Sequence, residues 1–315
     1  MIPVYIVAGL LDSGKTSFIQ NTLMEQEWIR QDNTLMILCE EGEISLPPAY
    51  LKDRKINLVP VEALEALTLP FMEEMTARLH PAQIIIEFNG MWDLKAFLQQ
   101  DFPGSWGLAG IYSVANGSEL DLVMNNMRNL FMNQHTESDL IVVNRCDQNT
   151  ERGRFRKAIK LQNNAAQIIF ESVGGEIIEF GEEDLPYDIS SGSFTVDDLD
   201  YGTFFADASE NPERYEGKEI SFLCQARRSL GMPKDQFIPG RKLMACCAAD
   251  VQFYGFPCRS NDISRIKGGD WYRIRVLFKT EKKKNPRTGL FEKVPLLQLL
   301  SMEEAAEPEN EVVVL

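Results

Sequence analysis

The chain has 315 residues, of which 44% are hydrophobic and 25% are charged. This composition is typical of a globular protein with a buried core, and the length allows two ordinary domains. The formal net charge of −15 would repel nucleic acid and anionic lipid, so we expect neither as a general partner. Because no apolar run could span a bilayer and no basic segment precedes the first one, we expect a cytoplasmic protein.

Strand-like and helical patterns alternate from residue 1 to about residue 170. Such alternation predicts an α/β fold in which a mostly parallel sheet is covered by helices. We place this domain at residues 1–172. The strand-like runs are VYIVA, TLMILC, INLVPV, AQIIIE, LAGIYSVA, DLIVVN and AQIIF.

A phosphate-binding loop is predicted directly after the first strand. Gly9, Gly14, Lys15 and Thr16 fit the pattern G-x-x-x-x-G-K-[ST], placed between a strand and a helix as that pattern requires. Backbone N–H groups of such a loop surround a phosphate chain, the lysine reaches the terminal phosphates, and the hydroxyl binds Mg²⁺. The other loop residues expected at the nucleotide are Asp12, Ser13 and Ser17.

A second segment that we expect at the nucleotide phosphates includes the end of the buried run IIIE. Glu87 ends this strand, and Gly90 lies three positions later. In P-loop proteins, a carboxylate here lies near Mg²⁺ or the attacking water, and the glycine N–H lies near the γ-phosphate. We therefore predict catalytic roles for Lys15, Glu87 and Gly90. The alternative for Glu87 is an ordinary surface carboxylate after a core strand.

The run LIVVNRCDQ predicts which base is bound. Asn144, Arg145 and Asp147 match the spacing N-[KR]-x-D, in which the aspartate accepts hydrogen bonds from guanine. Adenine lacks those donors on the same edge, so the motif favours GTP and GDP over ATP. Asn and Asp are also ordinary turn residues, but the position at the carboxyl end of a strand supports base recognition.

The composition changes after residue 170. Residues 171–200 carry ten acidic side chains and no Lys or Arg, and we predict an acidic linker at 173–198. The helical period then disappears, and β-branched and aromatic runs separated by turns predict a small OB-like β-barrel at 199–305. The acidic residues 306–315 are predicted to be a flexible tail.

The nucleotide motifs together resemble the CobW-like GTPases, which are relatives of the GTPases that help deliver nickel to hydrogenase and urease. The resemblance covers residues 1 to about 170. It implies a metal-linked, Mg²⁺-dependent GTPase that forms a homodimer with GTP bound. The residues that carry it are GLLDSGKTSF, MILCEEGEISL, IIIEFNG and VVNRCD.

The segment CEEGEISL resembles the switch segment of that family, N-E-F-G-E-[IV]-G-[IL]. Glu40, Gly42 and Glu43 match the motif of the family, whereas Cys39 stands where the family has Asn. The resemblance implies that Glu40 is a Mg²⁺ ligand or part of the switch.

Three positions depart from the family pattern. The metal-binding C-x-C-C segment is replaced by INLVPVEALEALTL, which contains no cysteine. Asp12 stands where the family has a small residue, and its carboxylate must point away from the phosphates or weaken their binding. Arg145 replaces the usual Lys, and its stem can still lie along the base.

The C-terminal part resembles a poorly characterised OB-like domain of proteins encoded beside a membrane permease. The segments that carry this resemblance are YEGKEISFLCQA, RKLMACCAADVQFYGFPC and GGDWYRIRVLF. Their cysteine cluster leaves three alternatives open: a site for Zn²⁺ or another thiophilic metal, buried structural thiols, or a redox role. The candidate metal ligands are Cys246, Cys247, Asp250 and Cys258.

Two functional hypotheses follow. The first is a slow GTPase whose hydrolysis releases a metal or a partner in metal delivery or homeostasis. The second is a non-catalytic switch that uses GTP to dock on a membrane transporter or a metalloprotein client. An ATP-dependent kinase would need an acceptor site that the sequence does not offer.

Overall fold

The computed structural model describes residues 1–26, 28–29, 31–42, 44–163, 165–228, 231–244, 250–261, 263, 266–284 and 289–314. The chain divides into two compact units. The first unit comprises Met1–Glu151 and Ala165–Glu179, and the second comprises Arg152–Asn164 and Phe180–Leu315. In the described part of the chain, no helix has the length and hydropathy needed to cross a membrane.

The first unit is built on one sheet, and each predicted strand is found there. Its strand order is β3-β2-β4-β1-β5-β6-β7-β8, with every neighbouring pair parallel except β7 and β8. The strands are β1 (Ile2–Ala8), β2 (Thr34–Leu38), β3 (Ile56–Pro60), β4 (Gln83–Glu87), β5 (Trp106–Asn116), β6 (Leu140–Cys146), β7 (Gln167–Ser172) and β8 (Ile177–Ile178).

Helices connect these strands. The first helix begins at Lys15, directly after the phosphate loop, and continues with π-helical hydrogen bonding over Ile19–Glu25. The predicted helical segment before β6 divides in two at Met127, whose backbone leaves the helical region. The α-helices are α1 (Lys15–Phe18), α2 (Pro48–Asp53), α3 (Leu69–Leu79), α4 (Leu94–Leu98), α5 (Leu120–Asn126) and α6 (Arg128–Asn133), and 3₁₀ turns cover Leu64–Ala66 and Gly117–Glu119.

The central strands are buried on both faces, which explains their continuous apolar sequences. On β1, Ile6 belongs to the cluster that packs against α3 and α4, whereas Val7 belongs to the cluster that includes Phe18 of α1. Because alternate residues of a strand point to opposite faces, one short apolar run supplies both cores. The predicted mostly parallel P-loop NTPase sheet is confirmed.

The second unit contains a closed circuit of strand pairs. Its strand pairs run β10-β11-β13-β15-β14 and return to β10. The β13–β15 pair is parallel and the others in the circuit are antiparallel. The strands are β9 (Ser193–Thr195), β10 (Glu219–Arg227), β11 (Gln236–Met244), β12 (Gln252–Gly255), β13 (Cys258–Arg259), β14 (Trp271–Lys284), β15 (Phe291–Glu304) and β16 (Val312–Val314). A separate C-terminal β domain is confirmed. An OB-fold also contains five strands, but the OB-like assignment of this domain stays a prediction.

Two helices in the second unit pack together through charged side chains. Arg156 of α7 (Arg152–Gln162) forms ion pairs with Asp207 and Glu210 of α8 (Tyr201–Glu210), and Lys160 lies 2.7 Å from Glu210. Arg156, Lys160 and Asp207 are buried, and each of them has an opposite charge that offsets the cost of burial, whereas Glu210 is exposed. This pairing accounts for the grouping of α7 with the second unit.

Three predicted boundaries differ from the structure. The expected linker contributes β8 to the first sheet and β9 to the second. The expected flexible tail contains β16, whose backbone pairs with β11 from Lys242 to Met244. Helix α8 lies where only strands were expected, and 3₁₀ turns cover Glu182–Asp184, Asp198–Asp200 and Pro212–Arg214. The acidic composition of these segments did not indicate strands, and β16 in particular depends on pairing with β11, which is distant in sequence.

Candidate functional site

The phosphate loop lies between β1 and α1. Gly9 has φ +135° and Gly14 has φ +107°, which are backbone conformations that side chains disfavour. A Cβ on Gly14 would lie 2.8 Å from the Asn144 amide nitrogen, and one on Gly9 would collide with the Val114 carbonyl. Both glycines are therefore required by conformation and by space.

Lys15 is held inside the loop. Its ammonium group donates to the carbonyls of Gly9 at 3.0 Å and Leu10 at 2.9 Å, and to Glu40 Oε2 at 2.7 Å. The Lys15 side chain is 4% exposed and that of Glu40 is 10% exposed. The structure thus brings the switch-segment carboxylate directly onto the loop lysine.

Thr16 and Glu87 form the part of the site that suits a divalent cation. The Thr16 hydroxyl donates to Glu87 Oε1 at 2.6 Å, and Glu87 itself is 2% exposed. The second carboxylate oxygen, Oε2, is buried and has no hydrogen-bond partner among the described residues. Burial raises the pKa of Glu87. Hydroxyl and carboxylate oxygens are the ligands that Mg²⁺ prefers, so this pair fits the expected ion.

Gly90 packs against the phosphate loop. A Cβ at this position would lie 2.6 Å from the Gly9 carbonyl oxygen and from the Leu10 Cα, so only glycine allows this approach. The Gly90 N–H donates to Glu40 Oε2 at 3.4 Å. The donor predicted to face a γ-phosphate is therefore beside both the loop and the switch segment.

The predicted base-binding residues lie at and directly after the end of β6, and two of them contact the phosphate loop. Asn144 donates to the Ser13 carbonyl at 2.8 Å, and Arg145, with φ 52°, donates to the Asp12 carbonyl at 3.1 Å. Asp147 is exposed, and its Oδ1 accepts from the Asn149 N–H at 2.8 Å. That hydrogen bond lowers the pKa of Asp147, which favours the ionised acceptor that guanine recognition needs.

Asp12 adopts a left-handed backbone conformation, with φ 57°. Its Oδ1 lies 3.1 Å from the place that a Cβ on Gly42 would take. Asp12 and Gly42 also line one pocket together with Lys15, Thr16 and Ser17, which is where the nucleotide phosphates are expected. The carboxylate therefore lies on the side of the loop that carries the switch segment.

Gln134 is a site residue that sequence motifs did not indicate. It is fully buried, accepts from the Gly9 N–H at 3.4 Å and donates to the Trp92 carbonyl at 2.7 Å. The neighbouring His135 is also fully buried, and burial lowers its pKa to about 3. Gln134 joins the start of the phosphate loop to the segment after Gly90. A polar residue in a polar stretch gave no signal of this role.

The predicted C-terminal metal ligands are only partly described. Cys246 and Cys247 lie outside the described residues, as does Glu43 of the switch segment. Cys258 is fully buried on β13, and burial raises the pKa of its thiol. Asp250 accepts from the Gln162 amide at 3.0 Å. Within the described residues, no group of three or more His, Cys, Asp or Glu could hold a metal ion, so this site stays a prediction.

Cys39, the separate thiol beside the switch segment, packs in the core cluster that contains Ile6. It is 3% exposed, and burial, with the nearby Glu87 carboxylate, raises its pKa to about 12. A thiol with such a pKa stays protonated at neutral pH, whereas metal ligation needs the thiolate. The surroundings of Cys39 therefore favour a structural thiol.

Comparisons with known proteins divide the chain in the same way. The CobW/HypB/UreG nucleotide-binding domain matches residues 3–170, and the DUF1980 C-terminal domain matches residues 181–314. No curated protein sequence matches the chain.

Two solved structures to which the chain shows some similarity are the hydrogenase maturation factor HypB from Archaeoglobus fulgidus and the YjiA GTPase. The HypB structure is 16% identical, with a TM-score of 0.37, over 55% of this chain and 82% of its own. A zinc-bound triple mutant of the YjiA GTPase is 15% identical, with a TM-score of 0.41, over 76% of this chain and 85% of its own.

The nucleotide-binding match covers more than half of the 315 residues and contains each element of the phosphate and base sites described above. The chain therefore belongs to the CobW/HypB/UreG nucleotide-binding family, which consists of P-loop GTPases linked to metallochaperone function.

Proposed function

We propose that this protein is a Mg²⁺-dependent GTPase with a slow intrinsic rate, whose hydrolysis controls the release of a metal or a partner protein. The observation that carries the proposal is the pair formed by Thr16 and Glu87, because it leaves one buried carboxylate oxygen beside the phosphate loop with no hydrogen-bond partner among the described residues. A buried anion that lacks a partner is costly, and a bound cation would offset that cost.

Each group would have a separate task. Lys15 and the loop N–H groups would neutralise charge on the β- and γ-phosphates, and the Gly90 N–H would contact the γ-phosphate. Thr16 and Glu87 would hold Mg²⁺, which supplies Lewis-acid stabilisation of phosphate charge when bound. Glu87 would also orient the attacking water. Asp147 would accept hydrogen bonds from the guanine base, and Asn144 would hold the end of β6 against the phosphate loop.

Metal delivery is the cellular task we propose, with Zn²⁺ or another thiophilic ion as cargo. The support is family membership together with the cysteine cluster of the second unit. Because the chain lacks the C-x-C-C segment expected from the resemblance, this cluster is the remaining candidate for binding the cargo metal. We also propose a cytoplasmic location. The described cysteines, Cys39, Cys146, Cys224 and Cys258, are free thiols, as expected in a reducing compartment.

The alternative is a non-catalytic switch that docks on a membrane transporter or a metalloprotein when GTP is bound. One observation favours a docking surface: Ile44 in the switch segment is 50% exposed, and Leu58 is 37% exposed. Both line a pocket of mixed polarity that also includes Met36, Leu46 and Glu40. The same surface could serve a GTP-dependent homodimer.

Phosphate release by the full-length protein tests the proposal. We expect slow, Mg²⁺-dependent release from GTP, little release from ATP, and loss of activity in a Lys15→Ala variant. GTP binding without phosphate release would favour the switch. Light scattering with GDP and with a non-hydrolysable GTP analogue would show whether a dimer forms, and equal masses would count against the dimer.

A further inference from the structure

One oxygen atom of Glu40 accepts hydrogen bonds from two separate donors. Glu40 Oε2 lies 2.7 Å from the Lys15 ammonium nitrogen and 3.4 Å from the Gly90 backbone nitrogen. Lys15 begins α1 and Gly90 follows β4, so this single oxygen joins two different segments of the site.

In P-loop proteins, both of these donors contact the terminal phosphate of the bound nucleotide. The loop lysine reaches the β- and γ-phosphates, and an N–H after the carboxylate strand senses the γ-phosphate. A carboxylate and a phosphate offer such donors the same thing, an anionic oxygen that accepts charge-assisted hydrogen bonds. Glu40 therefore lies where a γ-phosphate oxygen would find its partners.

We propose that Glu40 is a specificity-determining residue that discriminates nucleoside triphosphate from nucleoside diphosphate by occupying the position of the γ-phosphate. This inference rests on the proposed function. A triphosphate must displace the Glu40 carboxylate from Lys15 and Gly90 before its γ-phosphate can bind. A diphosphate lacks that group and leaves the contact with Gly90 intact.

The contact is strong enough to affect the preference. The ion pair is nearly buried, with the two side chains 4% and 10% exposed, so it is poorly screened by water and salt. A β-phosphate can share the Lys15 ammonium group, but only a γ-phosphate also takes the Gly90 N–H, so the full cost of displacing Glu40 arises only with a triphosphate. The same exchange releases Glu40 from the loop, which gives a physical link between the third phosphate and the switch segment.

A role for Glu40 in binding Mg²⁺ predicts the opposite sign. If its carboxylate held the cation in the triphosphate complex, neutralising it would weaken triphosphate binding. If it occupies the γ-phosphate position, neutralising it strengthens triphosphate binding because the competing anion is removed. Glutamine keeps the length of the side chain and removes the charge, so Glu40→Gln separates the two roles.

Calorimetry on the full-length protein with saturating Mg²⁺ provides the test, using GDP and a non-hydrolysable GTP analogue. We expect Glu40→Gln to bind the analogue about tenfold more tightly than the wild type, with GDP affinity changed by less than about threefold. Glu41→Gln is the matched control, because Glu41 is the adjacent exposed carboxylate. It should behave as the wild type does.

Two results would overturn the inference: an unchanged ratio of GDP to analogue affinity, or weaker binding of the analogue. A wild type that binds neither guanine nucleotide contradicts the proposed function itself, so the two failures are distinguishable. Thermal unfolding verifies that the variants fold. If Glu40→Gln does not fold, Glu40→Asp replaces it, since the shorter carboxylate should reach Lys15 and Gly90 poorly and shift the ratio in the same direction.

Discussion

The side-chain amide of Asn144 donates a 2.8 Å hydrogen bond to the backbone carbonyl of Ser13. Asn144 comes from the end of β6 and Ser13 from the phosphate loop, so the bond joins the predicted base-binding and phosphate-binding segments. The close approach of Asn144 to Gly14 reinforces the connection. Together with the Arg145 hydrogen bond to the Asp12 carbonyl, Asn144 therefore holds the two halves of the nucleotide site together.

Removing that connection should weaken nucleotide binding without changing base preference. We expect Asn144→Ala to lower GDP affinity about tenfold, because a hydrogen bond to a part-buried carbonyl is lost and the loop is loosened. Calorimetry with GDP and ADP measures the effect. Asn126→Ala is the control, since the exposed Asn126 side chain donates to the Leu122 carbonyl within its own helix. A change in GDP-to-ADP preference would contradict this assignment.

Asp147 should determine the choice of base. We expect the wild type to bind GDP at least about tenfold more tightly than ADP, a difference of about 1.4 kcal/mol. Asp147→Asn exchanges an acceptor for a donor and should move the preference toward xanthine nucleotides, which present a carbonyl at that edge. Competition binding with GDP and XDP measures this change. Equal affinity of the wild type for GDP and ADP would rule out guanine recognition.

The Mg²⁺ dependence of nucleotide binding should vary with pH through Glu87. Metal binding needs the ionised carboxylate, and burial raises the pKa of Glu87, so protonation begins at a higher pH than for an exposed glutamate. We expect Mg²⁺-dependent GDP affinity to fall as the pH is lowered from about 7 to about 5.

The control for this prediction is Glu87→Gln. This variant should bind nucleotide with little benefit from Mg²⁺, and the pH dependence of that benefit should disappear. If the wild type and Glu87→Gln share the same pH profile, another group is responsible for it.

Gly90 should tolerate no side chain. Gly90→Ala would place a Cβ against the backbone of Gly9 and Leu10, and we expect a loss of stability of about 1–3 kcal/mol with slower GTP hydrolysis. Denaturant unfolding and phosphate release measure the two effects. Gly104→Ala is a matched control because, apart from its chain neighbours, no heavy atom of the described residues lies within 4 Å of its would-be Cβ. Equal behaviour of the two variants would contradict the packing argument.

A metal site in the second unit would involve Cys247. We expect the full-length protein to bind Zn²⁺ with release of protons under reducing conditions, and Cys247→Ser to weaken that binding at least about tenfold. Cys224→Ser is a comparison, because Cys224 is fully buried on β10 and its substitution should mainly reduce stability. Absence of Zn²⁺ binding by the wild type would remove the cysteine cluster as a metal site.

The nucleotide half of the molecule could be predicted from sequence because its signals are local. Continuous apolar runs indicated strands β1 to β7 of the first sheet but not β8, and the residues from Gly9 to Thr16 form a motif whose spacing follows from the chemistry of phosphate binding. Base recognition at Asp147 was likewise predicted from spacing at the end of a strand.

Residues whose role depends on distant partners could not be predicted in this way. Gln134 acquires its position from Gly9 and Trp92, far away in sequence, and β16 exists because β11 offers it an edge. The contact between Glu40 and Lys15 had no sequence signal either, because the resemblance indicated a switch without its partners.

The grouping of α7 with the second unit limits how the gene can be divided. The chain passes between the units after Glu151, after Asn164 and after Glu179, so no single cut yields two intact folding modules. A fragment ending near residue 172 would carry α7 away and leave Glu210 without Arg156 and Lys160. Fusion reporters, circular permutants and split-protein designs must therefore keep the chain from β6 to α8 uninterrupted.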